Sequence, residues 1–418
     1  MRPTALPPYR LTSQVLVIAL TVIATALTVA CRGTKPQVPT SEAEAFSMVV
    51  DSLVPYVEQA VGLEFRSPPR AELRTREEVR HYLAAKLTEE LPPDRARGIS
   101  LTYQLFGMMP DSVDLRGVLL ALLTEQVVGY YDPDSATLFG VAGAPQTQRD
   151  LMAAHELVHA LQGQHVALDS VLSDRNNNDR TSAAQAVFEG QAMLASMQVV
   201  AGGQDIVAND EVWQLVRDQA ALAQESMPGL GAAPMVIREG LLFPYIEGAE
   251  FMRWWELQSG RGDSVPFGPR FPASTEQVLH PERYGSGDAP VAITIAPMNG
   301  ATIHEDVLGE LEVKLLAATL SGAARPSYQP AIGWAGDRFR VVESSAGPAL
   351  VWFIALDNAR DAERFRESIG RKLESLSRAG YRSSLARVTL GEHQAFRWIH
   401  APHDWDGWQK VPDASVTP

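Results

Sequence analysis

The sequence predicts an α+β fold, in which a mostly helical domain with a small β-sheet precedes a small α/β C-terminal region. Three observations predict this fold class. Apolar residues recur at the three- and four-residue spacing of amphipathic helices over much of residues 41–285. Two β-rich runs, 127–131 and 136–141, flank an Asp-Pro-Asp-Ser sequence that is typical of a turn. From about residue 291, short strand-like runs surround two predicted helices.

Length and composition indicate a globular protein of more than one domain. The chain has 418 residues, of which 45% are hydrophobic and 21% charged, enough for two or three domains. Its formal net charge of −14 argues against a nucleic-acid partner, because no basic stripe could neutralise phosphates. We divide the chain into a signal segment (1–31), a tether (32–40), a main domain (41–285) and a C-terminal region (286–418).

The N-terminus has the pattern of a secretory signal. Arg2 and Arg10 precede an uncharged apolar run at 15–30, and the single cysteine, Cys31, follows it. Residues 27–31 resemble the lipobox of bacterial lipoproteins, with Thr28 where Leu is usual. An uncleaved membrane anchor is the alternative, because the run is close to the minimum length that spans a bilayer. We therefore expect lipidation at Cys31 and an extracytoplasmic, membrane-anchored protein (periplasmic or cell surface) without disulfides.

Local signals place the elements before residue 146. The 32–40 stretch is polar and Pro-containing, and Ser41 with Glu44 has the capping-box pattern of a helix start. We predict helices at 41–60, from Thr75, at 93–108 and at 114–124, with an extended piece at 71–73. The two β-rich runs then form a hairpin that ends just before the next helix.

The segment His155-Glu156-Leu157-Val158-His159 carries the predicted chemistry. Two histidines four residues apart project from one side of a helix, so that both imidazoles can reach one zinc ion (Zn2+). Glu156 lies where it can take a proton from the attacking water. An apolar stripe at helical spacing supports the helix and comprises Leu151, Ala154, Leu157, Val158 and Leu161. The alternative is a pair of ordinary helix histidines beside an exposed Glu.

Glu189 is the predicted third zinc ligand. It lies within a helix that we expect to begin near Thr181, in the sequence Glu-Gly-Gln-Ala among apolar residues. A buried carboxylate is unfavourable unless it is paired or binds a metal. Gly190 beside it would let another backbone approach closely. The alternative is a surface Glu on an amphipathic helix.

His165 is the rival third ligand, because it occupies the third-histidine position of the HExxHxxGxxH pattern. In that pattern a Gly ends the helix, but here Gln162 stands in its place and Gly163 comes one residue later. If the helix continues through 165, His165 points about 80° away from the direction of His155. Glu189 is therefore preferred.

Tyr245 and His280 are hypotheses for the group that stabilises the oxyanion of hydrolysis. Both are polar residues inside apolar, turn-bounded segments. Tyr245 lies among helices predicted over 209–258, with an interruption at 228–234. His280 lies in a short predicted helix capped by Ser274 or Thr275. Glu276 and His280 share one face of that short helix, for which the alternative is a surface ion pair.

The C-terminal region has the pattern of a small α/β layer that packs on or follows the main domain. Predicted strands lie at 291–295, 334–342, 349–354 and 385–390, and predicted helices at 306–320 and 361–379. Trp405 and Trp408 lie in a polar tail, where we expect a surface patch.

The HExxH and EGxA segments together resemble the gluzincin metallopeptidases, in particular the minimal peptidase-MA-like members. More closely, the chain is similar to prokaryotic surface proteins and lipoproteins that share the stretches 129–133, 155–162, 243–245 and 272–284. This resemblance covers roughly residues 100–285. It implies a zinc ion held by His155, His159 and Glu189, with Glu156 as catalytic base.

One position departs from the gluzincin pattern. Many members carry an Asp four residues after the ligand Glu, which orients the first histidine, and here that position is Met193. Support for the His155 ring must then come from elsewhere.

The sequence thus predicts a membrane-tethered zinc metallopeptidase (a hydrolase) that acts on a peptide or protein. One alternative is a catalytically inactive, zinc-stabilised binding or scaffold lipoprotein, whose fourth protein ligand could be His165 or a residue of 276–280. A peptidase-like domain that cuts cell-wall peptide is another. Residues 41–125 could belong to the catalytic domain or form an inhibitory cover.

Overall fold

Residues 41–166, 176–202, 204–259 and 265–417 are described by the computed structural model. The signal segment with Cys31 and the tether lie outside these ranges. Within them, no helix combines the length and the apolar character needed to cross a bilayer. The predicted α+β class is confirmed: helices dominate up to residue 286, and an antiparallel sheet organises the remainder.

The part of the chain before residue 287 is built from helices around one small sheet. Its helices are α1 (Glu42–Val61), α2 (Arg76–Glu90), α3 (Pro93–Leu105), α4 (Leu115–Gln126), α5 (Gln146–His165), α6 (Asn178–Val200), α7 (Asp210–Ser226), α8 (Pro228–Ala232), α9 (Met235–Ser259), α10 (Thr275–Leu279) and α11 (Pro281–Ser286). Its strands are β1 (Arg70–Arg74), β2 (Gly129–Asp132) and β3 (Thr137–Val141).

The predicted hairpin is confirmed by the pairing of β2 with β3. These strands are antiparallel, with Tyr130 opposite Phe139, and β1 adds to β3 in parallel. The strand order β1–β3–β2 leaves β2 at an edge of the sheet. A Cβ on Gly129 would lie 2.5 Å from the backbone carbonyl oxygen of Phe139 on β3 and 2.2 Å from Cε of Met152 on α5, so glycine lets β2 lie close to both elements. The sheet thereby brings its edge strand against α5.

Helix α6 runs through the centre of the helical part. Every residue from Ala183 to Met197 is buried, because α1, α5, α9, α10 and α12 (Gly309–Ser321) pack around it. The predicted close approach at Gly190 is confirmed: a Cβ there would lie 2.2 Å from the carbonyl oxygen of Gly248 on α9. A Cβ on Gly248 would in turn lie 2.1 Å from the carbonyl oxygen of Ala186. The two glycines therefore fix α9 against α6.

The C-terminal region is a five-stranded antiparallel sheet with helices on one side. Its elements are β4 (Ala292–Ile295), β5 (Thr302–Asp306), α12, β6 (Trp334–Val342), β7 (Ala349–Leu356), α13 (Ala359–Phe365), a π-helical turn (Arg366–Gly370), α14 (Arg371–Glu374), β8 (Tyr381–Leu390), β9 (His393–Pro402) and β10 (Ala414–Thr417). The sheet order is β5–β6–β7–β9–β8, and β4 pairs with β10 in a separate two-stranded sheet.

Both faces of the five-stranded sheet are covered. Trp352 and Ile354 of β7 point into the main core, whereas Val351 and Phe353 pack in a second core with Trp405. Trp405 is 4% exposed, so the expected surface patch at this residue is wrong. Its ring closes the far face of the sheet, a contact that the polar sequence around it does not indicate.

The main apolar core is continuous across the predicted boundary at residue 285. Phe106, which follows α3, packs its ring against Phe339, Trp352 and Trp398 of the C-terminal sheet at centroid distances of 5.4–5.7 Å. The Asp337 carboxylate on β6 accepts hydrogen bonds from the backbone at the start of α12 and from the indoles of two tryptophans. The sheet is thus packed directly onto the helical part.

Candidate metal centre

Three ligand-type atoms converge between helices α5 and α6. The Nε2 atoms of His155 and His159 lie 3.1 Å apart, and Oε2 of Glu189 lies 3.2 Å from each of them. The histidines project from one face of α5 because they are four residues apart, and Glu189 reaches them from the centre of α6. Within the ranges that the structure covers, this group alone has metal-ligand composition and spacing.

The geometry fits a zinc ion. Zinc is bound by His nitrogen at about 2.0–2.1 Å and by carboxylate oxygen at about 2.0–2.2 Å, so tetrahedral ligand atoms lie roughly 3.3–3.6 Å apart. The three separations of 3.1–3.2 Å agree within a few tenths of an ångström. Two imidazole nitrogens this close would direct lone pairs at each other unless a cation or a proton lay between them. Two imidazoles and one carboxylate form a donor set that zinc and other divalent transition metals accept.

The electrostatics of this group follow from its burial. His155 and Glu189 are 0% exposed and His159 is 2% exposed. Burial lowers the pKa of His155, although the Glu189 carboxylate partly opposes this shift. Burial would raise the pKa of Glu189, but the two imidazoles outweigh it, so that this pKa is lowered. The carboxylate is therefore held in the charged form that a metal ligand requires.

Glu156 lies beside the three ligand residues but is held by a different element. Its Oε2 accepts a hydrogen bond of 2.9 Å from the backbone N–H of Tyr131 on the edge strand β2. Its Oε1 has no hydrogen-bond partner among the described residues. Burial raises the pKa of Glu156 to about 7, partly opposed by His159 and by the Tyr131 N–H. The result is an oriented carboxylate whose proton affinity suits a general base near neutral pH.

Gln162 supports the His159 ring, a role that the sequence interpretation missed. Its Oε1 lies 2.8 Å from Nδ1 of His159, while its Nε2 donates to the Phe188 carbonyl and to Oε1 of Gln191. Because Oε1 can only accept, Nδ1 of His159 carries a proton, which leaves Nε2, the nitrogen that faces His155 and Glu189, as the atom that would bind a metal. The signal was present in the sequence as an amide one helical turn after the second histidine.

The described residues give the His155 ring no equivalent support. Its Nδ1 is buried and has no hydrogen-bond partner in the part of the chain that the structure describes. This agrees with the departure noted at Met193, which is buried on α6 and offers no acceptor of the carboxylate type. Instead, the ring of Tyr245 on α9 stacks near His155, with centroids 6.0 Å apart and planes inclined by 26°.

The structure brings Tyr245 to the metal centre but gives His280 and His165 other neighbours. Nε2 of His280 lies 2.9 Å from Oε1 of Glu310 on α12, and its ring contacts Tyr328. Nε2 of His165 lies 2.8 Å from the carbonyl oxygen of Glu64, at the exposed end of α5. The geometry therefore gives no support to an oxyanion role for His280, and Glu189 rather than His165 meets the imidazoles.

The proposed extra ligand from residues 276–280 is also placed elsewhere. The Glu276 carboxylate lies 3.2 Å from the Arg283 guanidinium, and burial with the neighbouring Glu310 charge raises its pKa to about 9. No fourth His, Cys, Asp or Glu joins the metal group within the described ranges. Among the described residues the candidate site therefore offers three ligand groups, with Glu156 beside them.

Comparisons with known proteins leave the activity open. A family model described as a domain of unknown function (DUF8575) matches residues 297–402, which lie in the C-terminal region. No curated protein matches the chain. A solved structure from Chloroflexus aurantiacus, described as a candidate hydrolase with a novel fold, is similar at a TM-score of 0.37 and 16% identity, covering 64% of this chain and 94% of that one. None of the three comparisons shows a gluzincin family.

Proposed function

We propose that this chain is a zinc-dependent peptidase that hydrolyses peptide bonds and is tethered outside the cytoplasm through Cys31. The observation that carries the proposal is the convergence of His155, His159 and Glu189 within 3.2 Å, with the Glu156 carboxylate beside them. Three protein ligands are typical of catalytic zinc sites, whereas structural zinc sites usually have four.

In the proposed hydrolysis, Glu156 transfers the proton and Tyr131 holds Glu156 in position. When bound, the zinc ion would supply Lewis acidity, which activates water and polarises a carbonyl group. Glu156 accepts the proton of the attacking water and later gives it to the leaving amine. The Tyr131 N–H holds Oε2 of Glu156, which leaves Oε1, the oxygen without a partner in the described chain, to receive the proton.

Tyr245 is the favoured donor to the developing oxyanion. It is 1% exposed and lies next to His155, where a hydroxyl can act in a dry environment. Tyr245→Phe removes the hydroxyl and keeps the ring. We expect it to lower kcat by 10²- to 10³-fold, the usual effect of losing one such donor, with zinc content unchanged. Unchanged turnover would remove Tyr245 from this role.

The test of the proposal combines metal content with turnover of the full-length chain. We expect wild type to bind one zinc ion and to cleave a mixed peptide library, and Glu189→Ala to lose the zinc. Glu156→Gln should retain zinc and cleave nothing. His165→Ala is the matched control and should resemble wild type in both respects. Wild-type-like cleavage by Glu156→Gln would refute the assignment of the base.

Burial of the site favours a second candidate function, a zinc-stabilised scaffold. His155, Glu156, His159 and Glu189 are each at most 2% exposed, as in closed structural sites. This candidate expects zinc binding and a large loss of thermal stability on chelation, but no cleavage of any peptide. The absence of a fourth protein ligand within the described residues weighs against it.

A further inference from the structure

A mostly apolar cavity of about 260 Å³ lies between α6 and five other helices. Helices α2, α3, α4, α6, α9 and α12 all contribute to its wall. Most of the wall is aliphatic and includes Leu87, Leu115, Leu119, Leu123, Leu241 and Leu311. An apolar cavity of roughly 150 Å³ can hold benzene, so this one has room for a larger apolar group.

Two helices run from the wall of the cavity to the residues of the candidate metal centre. On α6, Gln185 of the cavity wall comes four residues before Glu189, and on α9, Leu241 comes four residues before Tyr245. Side chains four apart lie on the same face of a helix and are separated by about 6 Å along its axis. The cavity therefore begins one helical turn from Glu189 and from Tyr245, on the faces that these residues occupy.

The residue at this junction has unused hydrogen-bonding capacity. Gln185 is 9% exposed, and its Nε2 has no hydrogen-bond partner within the described chain. A buried donor without an acceptor is unfavourable, and a main-chain carbonyl of a bound peptide would satisfy it. The wall carries other polar side chains as well, among them Glu90, Arg95, Asn178 and Glu312. An apolar lining with polar groups placed in it is the common composition of a ligand site.

We propose that this cavity receives a large apolar side chain of the peptide substrate, at a position within two residues of the bond that is cut. The spacing sets this position, because about 6 Å corresponds to roughly two residues of extended chain. Gln185 binds a main-chain carbonyl of the same segment. The inference rests on the proposed peptidase function and adds its specificity: the substrate class is peptides with Leu, Phe or a similar residue near the scissile bond.

Gly240 offers a way to fill the cavity without disturbing the fold. It lines the cavity and is exposed, and a Cβ added to it would meet no atom within 4 Å. Its backbone is helical within α9, where replacing Gly favours the helix. Gly240→Leu therefore narrows the cavity.

Leu119→Ala, at a half-buried position of the wall, enlarges the cavity. Gln258→Leu, at an exposed position of the same helix outside the cavity, is the matched control.

The test measures which peptides are cut from a proteome-derived library by the full-length, zinc-loaded protein. Wild type and Gln258→Leu should both select Leu or Phe at one position near the cut. Gly240→Leu should lower kcat/KM for these peptides at least tenfold relative to matched Ala peptides. The size follows because one methylene more or less on a substrate that enters an apolar pocket changes the ratio of kcat/KM values by about 10–200-fold. Leu119→Ala should shift the preference toward larger aromatic residues.

Measuring peptide affinity in a variant that does not cleave tests the cavity separately from catalysis. In the Glu156→Gln background, calorimetry should show that a Leu-containing peptide binds at least tenfold more tightly than its Ala counterpart, and that Gly240→Leu abolishes this difference.

The outcomes separate the two proposals. If the zinc-loaded wild type cuts nothing in the library, the peptidase function fails and the specificity fails with it. If wild type cuts peptides without an apolar preference, or if Gly240→Leu and Leu119→Ala leave the preference unchanged, only the specificity is overturned. It is also overturned if the purified protein carries an acyl chain that Gly240→Leu expels while the cleavage profile stays the same.

Discussion

Replacing Gln162 tests whether the second histidine is held ready for a metal. Gln162 is 1% exposed, and its Oε1 accepts from Nδ1 of His159 at 2.8 Å. Gln162→Leu removes this acceptor and leaves a buried donor unsatisfied, at a cost of about 1–3 kcal/mol. Loss of such an outer partner usually weakens metal binding 10- to 100-fold, which corresponds to about 1.4–2.8 kcal/mol. We expect the Kd for zinc to rise by that factor.

The conservative change Gln162→Glu separates positioning from simple structural damage. A carboxylate at this place still accepts the proton of Nδ1, so the affinity for zinc should stay within a few-fold of wild type. Both variants lose the donor that binds the Phe188 carbonyl and Gln191, so both should be less stable without metal. His165→Ala is the control, because that ring contacts Glu64 and not the metal group.

The assay is a competition titration of zinc against a chromophoric chelator, run beside thermal unfolding of the metal-free proteins. If Gln162→Leu binds zinc within twofold of wild type, the orienting role is refuted. If the Leu and Glu variants weaken binding equally, Gln162 serves the fold and not the metal.

Three other predictions concern packing, pH and anchoring. Gly190→Ala should lower the free energy of unfolding by about 1–3 kcal/mol, since its Cβ would lie 2.2 Å from the Gly248 carbonyl oxygen. Gly240→Ala is the control, because its Cβ would meet no atom within 4 Å, and it should be neutral or stabilising by up to ~1 kcal/mol. Denaturant titrations measure both changes. Burial lowers the pKa of His400 to about 4, whereas histidine in the unfolded chain has a pKa near 6.5. The unfolded chain therefore binds this proton first, and the stability of the fold falls as the pH drops from about 6.5 to 4. The Tm of His400→Gln should fall less than that of wild type over this range, and an equal fall would contradict the assignment. Cys31→Ser should release the protein from membranes into the soluble fraction after cell fractionation, and unchanged membrane association would instead indicate an uncleaved anchor.

Helical spacing made the ligand group predictable from the sequence. The four-residue interval placed His155 and His159 on one face, and the burial expected around Glu189 pointed that carboxylate inward. The close approach of another backbone at Gly190 was also predictable, because a glycine inside a buried helix indicates such an approach. These signals are local: each depends on the period of one helix.

The neighbours of His280 and the burial of Trp405 could not be predicted, because each depends on contacts between distant segments. His280 meets Glu310 only because α10 packs on α12. Trp405 is buried by a second layer, β4 with β10, whose strands are far apart in sequence. Strand β5 was missed because its polar, mostly half-buried edge sequence lacks an apolar alternation. The cavity beside the metal centre needs six helices, and no single one of them indicates it.

The stacking of Phe106 on Phe339, Trp352 and Trp398 has a consequence for how this chain can be dissected. The family model matches residues 297–402, yet part of the hydrophobic interior of this region is supplied by Phe106 from the helical part of the chain. Cutting after residue 285 would bare that aromatic surface on both fragments. We therefore expect neither fragment to keep its native core when it is produced without the other.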